Sequence, residues 1–405
     1  MVYCISILRC GPVPNLLTIN GGSSSIRFAI FAPEQPPKPL LQGKIDRIGT
    51  AEANLSVDHG AERAPTRIKA EIGGTAVDFL LDWLESQPLF SSIGGVGHRV
   101  VHGMHHTDPE TVTPQLLDEL KRIIPFDPEH LPSEIELIEA LLHRYPRLPQ
   151  AACFDTAFHR SMPLVATQLP IPRRYASQGV QRYGFHGLSY TYLLQELERL
   201  GDSAATRGRV ILAHLGSGAS LAAVRNGRCI DTSMGFTPTA GLVMGTRSGD
   251  LDPGLMSYLA SSEAMTAVRF RTMVNHESGL LGVSETSADV RDLLERETSD
   301  ARAAEALALF CYQAKKWIGA FAAALGGVDT LVFAGGIGEN AAPIRKRICD
   351  GLEYLGIGID EAANRRHAQR ISSETGYPVT VRVIRTNEES VIAASSIRLL
   401  QLTLT

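Results

Sequence analysis

Apolar residues in this chain fall first into paired runs separated by a Gly- and Ser-rich turn. Leu16-Leu17-Thr18-Ile19 leads into Asn20-Gly21-Gly22-Ser23-Ser24-Ser25, and Ile26-Arg27-Phe28-Ala29-Ile30 leads out. The pattern returns as Ile211-Leu212-Ala213-His214-Leu215, Gly216-Ser217-Gly218, then Ala219-Ser220-Leu221-Ala222-Ala223-Val224. Aligning Gly21 with Gly216 also aligns Ser25 with Ser220. Each run reads as strand, tight turn, strand, and glycine lets backbone N–H groups approach an anion closely. Two such hairpins half a chain apart predict a duplicated α/β core that grips phosphates from both sides of a cleft.

The remaining pattern alternates strands and helices, as an α/β fold requires. The Pro-rich segment 33–39 reads as a loop, and Val100-Val101 within 94–103 as a core strand. Apolar positions 135, 138, 141 and 142 have helical spacing within 131–145. Residues 301–325 predict a long Ala-rich helix stopped by Gly326-Gly327. Thr330–Ala334 reads as a short buried strand, followed by a Gly-rich turn at 335–340 and an amphipathic segment with Ile344 and Ile348. Strand, Gly turn, helix is a nucleotide-binding layout.

At 405 residues the chain can hold two cored domains. A net charge of −4 gives nucleic-acid binding no support. Six cysteines without CxxC spacing argue against structural zinc and a disulfide framework, and for a reducing cytoplasm. No apolar run reaches membrane-spanning length, so no membrane is expected as a partner. Residues 1–14 read as an extension lacking a secretory signal pattern.

Several segments carry candidate chemistry beside a plainer structural reading. The Asn20–Arg27 turn is either a simple hairpin or a phosphate cradle, with Asn20 placed to ligate a hydrated Mg²⁺. Arg99, in His98-Arg99-Val100-Val101-His102, either faces solvent or holds a substrate anion. His102, His105 and His106 lack a fourth ligand at metal spacing. Asp155, among apolar neighbours, either caps a turn or has a partner or a job. The Gly/Ser/Thr-rich stretch from Asp231 to Asp250 is too long to be an idle loop, and its Arg247 is suited to charge on a transferring phosphoryl group. Thr386 and Glu389 fit a capping box, which leaves Glu388 for a metal.

Together these motifs resemble the acetate kinase family of the sugar kinase, chaperone and actin superfamily, from about Leu16 to Ala394. The most specific pieces are Asp231 to Pro253, Phe154 to Pro163, Arg182 to Ser189, Gly335 to Asn340 and Thr386 to Glu389. The resemblance implies two duplicated ribonuclease H-like (actin-like ATPase) domains with a cleft between them. An N-terminal domain, 1–158, is completed by a C-terminal helix at 387–405, and a nucleotide-binding domain covers 159–386. It implies reversible phosphoryl transfer from ATP to acetate, giving acetyl phosphate and ADP, with Mg²⁺ or alternatively Mn²⁺, in a cytoplasmic homodimer.

Residue by residue, the resemblance assigns Asn20 and Glu388 to the metal. Asp155, His186 and Arg247 are assigned to catalysis. Arg99, Val101, Phe126, Phe185 and Pro238 are assigned to the carboxylate and its methyl. Ser23, Ser25, Arg27, His214, Leu215, Gly216, Ser217, Gly218, Asp289, Val290, Arg291, Gly336, Ile337, Gly338, Glu339 and Asn340 are assigned to the nucleotide. Acetate is already ionised at neutral pH, so Asp155 is expected to position Mg²⁺, its water or an Arg rather than abstract a proton.

The chain departs from the family pattern in four places. Arg27 stands for a usual Lys, Pro125-Phe126-Asp127-Pro128 for Pro-Leu-His-Asn-Pro, Ser217 for Asn, and Met104-His105 for Gly-Glu. Propionate or another short carboxylate is the alternative substrate. A sugar or polyol kinase leaves the pairing of Arg99 with Arg247 unexplained, and a non-catalytic ATP-binding protein needs neither arginine.

Overall fold

The computed structural model describes residues 13–22, 25–48, 53–58, 66–69 (backbone only) and 75–402. Ser23, and most of the extension at 1–14, lie outside the described residues. The chain divides into two compact units, one of Met1–Val101, Asp108–Phe154 and Glu389–Thr405, the other of His102–Thr107 and Asp155–Glu388. This division falls at Phe154, whereas the sequence reading drew the boundary at 158.

In the first unit, strands β1 (Asn15–Gly21), β2 (Ser25–Ala32), β3 (Lys38–Asp46), β4 (Asn54–Asp58), β5 (Thr66–Lys69), β6 (Ile93–Val100), β7 (Glu110–Thr111) and β8 (Gln150–Phe154) form one sheet. Its order is β5-β4-β3-β2-β1-β6-β8-β7. In the second unit, β9 (Arg209–Leu215), β10 (Ala219–Arg225), β11 (Arg228–Thr232), β12 (Thr330–Ala334) and β13 (Thr380–Val383) run in the order β11-β10-β9-β12-β13. In both units three antiparallel strands are followed by two that run parallel to the first, on its other side. The order β3-β2-β1-β6-β8 is thus repeated as β11-β10-β9-β12-β13. The hairpins that opened the sequence reading are β1–β2 and β9–β10, the corresponding strands of a duplicated α/β core.

The central strands read as unbroken apolar runs because both faces are covered. Side chains alternate across a strand. Leu17 and Ile19 therefore join Ile26, Phe28 and Ile30 against Leu80, Leu81, Leu84, Leu137 and Leu141 on one face. Leu16, Ala29 and Phe31 meet Ala393, Ile397 and Leu402 on the other. The second layer comes from the helix Glu388–Leu399 at the far end of the chain. It lies close to β6 because Gly95 and Gly97 carry no side chain. A Cβ on Gly97 would stand 2.3 Å from Ser396 Oγ and 2.8 Å from Ile392 Cγ2. Gly97→Ala is therefore expected to destabilise the fold by about 1–3 kcal/mol, as overpacking does. An unchanged denaturation midpoint would show that the helix can retreat without loss.

In the second unit the expected long helix spans Ala301–Leu325, capped by Asp300 and ended by Gly326 at φ 73°. The region after β12 differs from the expected turn and single helix. Gly335 turns the chain alone, at φ 74°, and Gly335–Asn340 is itself a short helix, followed by Ala342–Cys349. A Cβ on Gly335 would lie 2.7 Å from the Leu215 carbonyl oxygen, so the close approach of β12's end to β9's end requires glycine.

Candidate active site

The turn between β9 and β10 is tight, with Gly216 N–H donating to Gly218 O at 3.1 Å. Ser217 is exposed at its tip. A Cβ on Gly216 would stand 4.0 Å from Gly336 N, so the turn and the start of the Gly335–Asn340 helix lie side by side. A Cβ on Gly218 would stand 3.5 Å from His186 Nε2 and 3.6 Å from Arg247 Nη1. Two groups that the sequence separates widely thus converge over one glycine of a loop suited to phosphate.

His186 reaches this point on a left-handed backbone, φ 60° and ψ 24°, at the N-cap of the helix Gly187–Arg199. A non-glycine residue held there is strained. Asp155 holds it. Its fully buried carboxylate accepts from His186 N at 2.9 Å and Leu188 N at 3.1 Å, while its backbone carbonyl accepts from Gly187 N at 3.0 Å. This is anion capping of a helix N-terminus. The His186 ring stacks on His214, centroids 4.2 Å apart, and its Nδ1 lies 2.8 Å from Ser220 Oγ. His214 Nδ1 lies 2.8 Å from Ser189 Oγ, which in turn meets Thr386 Oγ1 at 2.8 Å.

Arg247 is carried by the long stretch after β11, which has no regular structure yet is largely buried. Gly245 N donates to Ser217 O at 2.9 Å and Arg247 Nη1 to Pro238 O at 3.2 Å. Arg182 clamps the start of this stretch through the carbonyls of Thr232, Ser233 and Met234. Buried Phe185 packs beside His102, and Pro238 is buried as well.

On the nucleotide side, several assigned residues have structural tasks. Glu339 Oε1 accepts from Gly335 N at 3.0 Å and Thr386 N at 3.1 Å. Asp289 caps the helix Val290–Arg296 and pairs with the exposed Arg291 at 2.5 Å, which holds its carboxyl below the usual range. Val290 is buried. Asn340 Nδ2 donates to Gly336 O at 2.9 Å, Ile337 is partly exposed and Gly338 is buried. The sequence reading missed Arg345, which sits fully buried under this helix. It donates to Gly338 O at 2.8 Å and Glu339 O at 3.0 Å, and binds both Oδ1 and O of Asn364. Burial pulls its pKa down to about 10. Its signal was a cation between the apolar positions Ile344 and Ile348. Arg345→Met should cost roughly 3–5 kcal/mol, because the carbonyls lose their donors in a dry interior. A change within 0.5 kcal/mol by urea titration would overturn that role.

The first unit carries its own set. Arg27 is exposed on β2, across from Asn20 on β1, and Ser25 opens β2. Asn20 Nδ2 donates to Glu389 Oε1 at 3.5 Å. The capping box expected of Thr386 and Glu389 is not formed. The helix begins at Glu388, and the Thr386 N–H is taken by Glu339. The elimination that left Glu388 for a metal therefore fails, and that assignment rests on the resemblance alone.

Arg99 on β6 lies 3.9 Å from the buried Glu134 through Nη1, and the other oxygen of Glu134 accepts from Val101 N at 2.9 Å. Glu134, an acid in the apolar stripe of the helix Leu131–Arg144, was not singled out from the sequence. Val101 is buried and Phe126 half-buried. Asp127, the acid in place of a family His-Asn pair, is buried and lies 2.9 Å from His130 Nδ1.

The sequence model of the acetokinase family matches residues 15–394. An acetate kinase of Rhodopseudomonas palustris is 43% identical over 386 residues, covering 93% of this chain and 96% of the relative. A propionate kinase of Citrobacter rodentium is 41% identical over 391 residues, covering 95% and 96%. Among solved structures, Porphyromonas gingivalis acetate kinase superposes with a TM-score of 0.84 at 34% identity, over 96% of this chain and all of that one. A Francisella tularensis propionate kinase gives 0.88 at 34% identity, over 95% of this chain and all of its own. With the duplicated fold and the converging His186 and Arg247, these likenesses establish that the chain belongs to the acetokinase family, whose members are carboxylate phosphotransferases.

Proposed function

We propose that this enzyme transfers the γ-phosphoryl group of ATP to acetate, reversibly, giving acetyl phosphate and ADP. The observation that carries this reading is the convergence of His186 Nε2 and Arg247 Nη1 over Gly218 of the phosphate loop. A carboxylate oxygen attacks the γ-phosphorus, the bond to the bridging oxygen of ADP breaks, and no proton need move. The obstacle is repulsion between anions. Two unit charges 4 Å apart oppose each other by about 4 kcal/mol at an effective dielectric near 20. Arg99 is assigned to the acetate carboxylate. Arg247 and His186 are assigned to the equatorial oxygens of the phosphoryl group, where charge is spread in the transition state. Asp155 supports His186 through the backbone and takes no part as a base. Glu134 orients Arg99.

The donor set suits Mg²⁺. Asn20 and Glu388 offer hard oxygen ligands. These residues would hold the cation, which when bound supplies charge neutralisation on the phosphates.

A homodimer fits the helices Gly254–Glu263 and Ala267–His276, which leave Tyr258 and Val268 exposed. No helix among the described residues is long and apolar enough to cross a membrane, and we assign the enzyme to the cytoplasm.

The test is hydroxylamine trapping of an acyl phosphate formed from ATP and acetate. A phosphorylated product stable to hydroxylamine, or no turnover with any short carboxylate, would refute the reading. Propionate is the second candidate, since relatives named propionate kinase match equally well. Val101, Phe126, Phe185 and Pro238 are assigned to the acyl group. With Phe126 larger than the usual Leu, each added carbon should cost roughly 10- to 200-fold in kcat/KM. Phe126→Ala should narrow that ratio. Equal kcat/KM for acetate and butyrate in the unmodified enzyme would exclude a tight pocket.

A further inference from the structure

We propose that Tyr190 and Ser220 are positioning residues that hold His186 as the tautomer with its proton on Nε2. Tyr190 and Ser220 are both fully buried. The Tyr190 hydroxyl lies 2.5 Å from Ser220 Oγ, its hydrogen-bond partner among the described residues. Ser220 Oγ lies 2.8 Å from His186 Nδ1. Were Tyr190 to accept from Ser220, its own proton would be buried without an acceptor, which proteins avoid. Tyr190 therefore donates, and burial keeps its phenol well above the ordinary range, so the proton stays on. Ser220 has a single proton. If Nδ1 of His186 also donated to it, that proton would be stranded in turn. The one fully satisfied arrangement runs from Tyr190 O–H to Ser220 Oγ, and from Ser220 O–H to an unprotonated Nδ1.

The ring proton then sits on Nε2, the nitrogen near Gly218 and Arg247. His186 thus presents a neutral N–H donor beside a guanidinium, without a second full charge. The His214 ring stacked 4.2 Å away disfavours charge on both rings at once, since two imidazolium cations at that separation would repel. Ser220 owes its place to the duplicated hairpin. It stands opposite His214 in the β9–β10 register, and it is the residue that aligns with Ser25 in the first hairpin.

The catalytic meaning of this device rests on the phosphoryl-transfer reading; the tautomer itself does not. The test is long-range ¹H–¹⁵N correlation on histidine-labelled resting enzyme, with His186 assigned by the signal missing in His186→Gln. A pyridine-type Nδ1 and a pyrrole-type Nε2 are expected. Ser220→Ala should mix the tautomers and lower kcat by about 10²-fold, the scale of a lost transition-state donor. The KM values for ATP and acetate should stay within about twofold. Ser220→Thr, which keeps a hydroxyl, should restore the signature and most of the rate. A pyrrole-type Nδ1 in the unmodified enzyme would overturn the proposal. So would a Ser220→Ala variant with unchanged tautomer and kcat. An Nε2–H spectrum in an enzyme that makes no acyl phosphate would overturn the reaction reading and leave the tautomer standing.

Discussion

Arg247→Ala should lower kcat by about 10³-fold while leaving the KM for acetate nearly unchanged. The magnitude is the lower end of what an arginine that meets a transferring phosphoryl group contributes. The split follows from placement. Arg247 Nη1 stands with His186 Nε2 over Gly218, and the role proposed for it is to meet charge that develops on the phosphoryl oxygens. An interaction realised only in the transition state shows in kcat and kcat/KM alike. Arg99→Ala should behave differently, raising the KM for acetate as well, because it is assigned to the ground-state carboxylate. Lysine at 247 should rescue poorly, since a point charge lacks the planar fork. Small and equal effects of both alanine variants on both parameters would show the two arginines to be structural.

Asp155→Asn should lose turnover and stability together. Each carboxylate oxygen of Asp155 accepts a backbone N–H, from His186 and from Leu188. An amide offers one acceptor and one donor, so one N–H would face another N–H in a fully buried site. The cost should be roughly 1–3 kcal/mol, read from chemical denaturation. The left-handed backbone of His186 would lose its support, and kcat should fall by about 10²-fold with the displaced donor. Unchanged stability with abolished turnover would overturn this backbone-supporting role of Asp155.

Both variants bear on which properties are local to the sequence. The strand–turn–strand pattern, the 301–325 helix with its glycine stop and the strand 330–334 were legible because each is set by period, punctuation and burial over a few residues. The repeat of one hairpin half a chain later was legible as well, and with it the duplicated core. Motif order and spacing identified the family, because the segments 154–163, 182–189, 231–253, 335–340 and 386–389 occur in the right succession. Spacing along the chain could not reveal what each side chain touches. Thr386-Asn387-Glu388-Glu389 reads as a capping box, but a helix start one residue later and the competing carboxylate of Glu339 decide otherwise. Glu134 and Arg345 carried no motif that singled them out, yet they are the buried partners of Arg99 and of the helix Gly335–Asn340. The sequence by itself determined the alternation of elements, the duplication and the residue types available for phosphoryl transfer. Only the tertiary structure decided that Asp155 serves the backbone of His186 and that His186 and Arg247 meet over Gly218. Hydrophobic periodicity is a property of neighbours in the chain, whereas hydrogen-bond partners are chosen by whichever donors and acceptors packing leaves together in a dry interior.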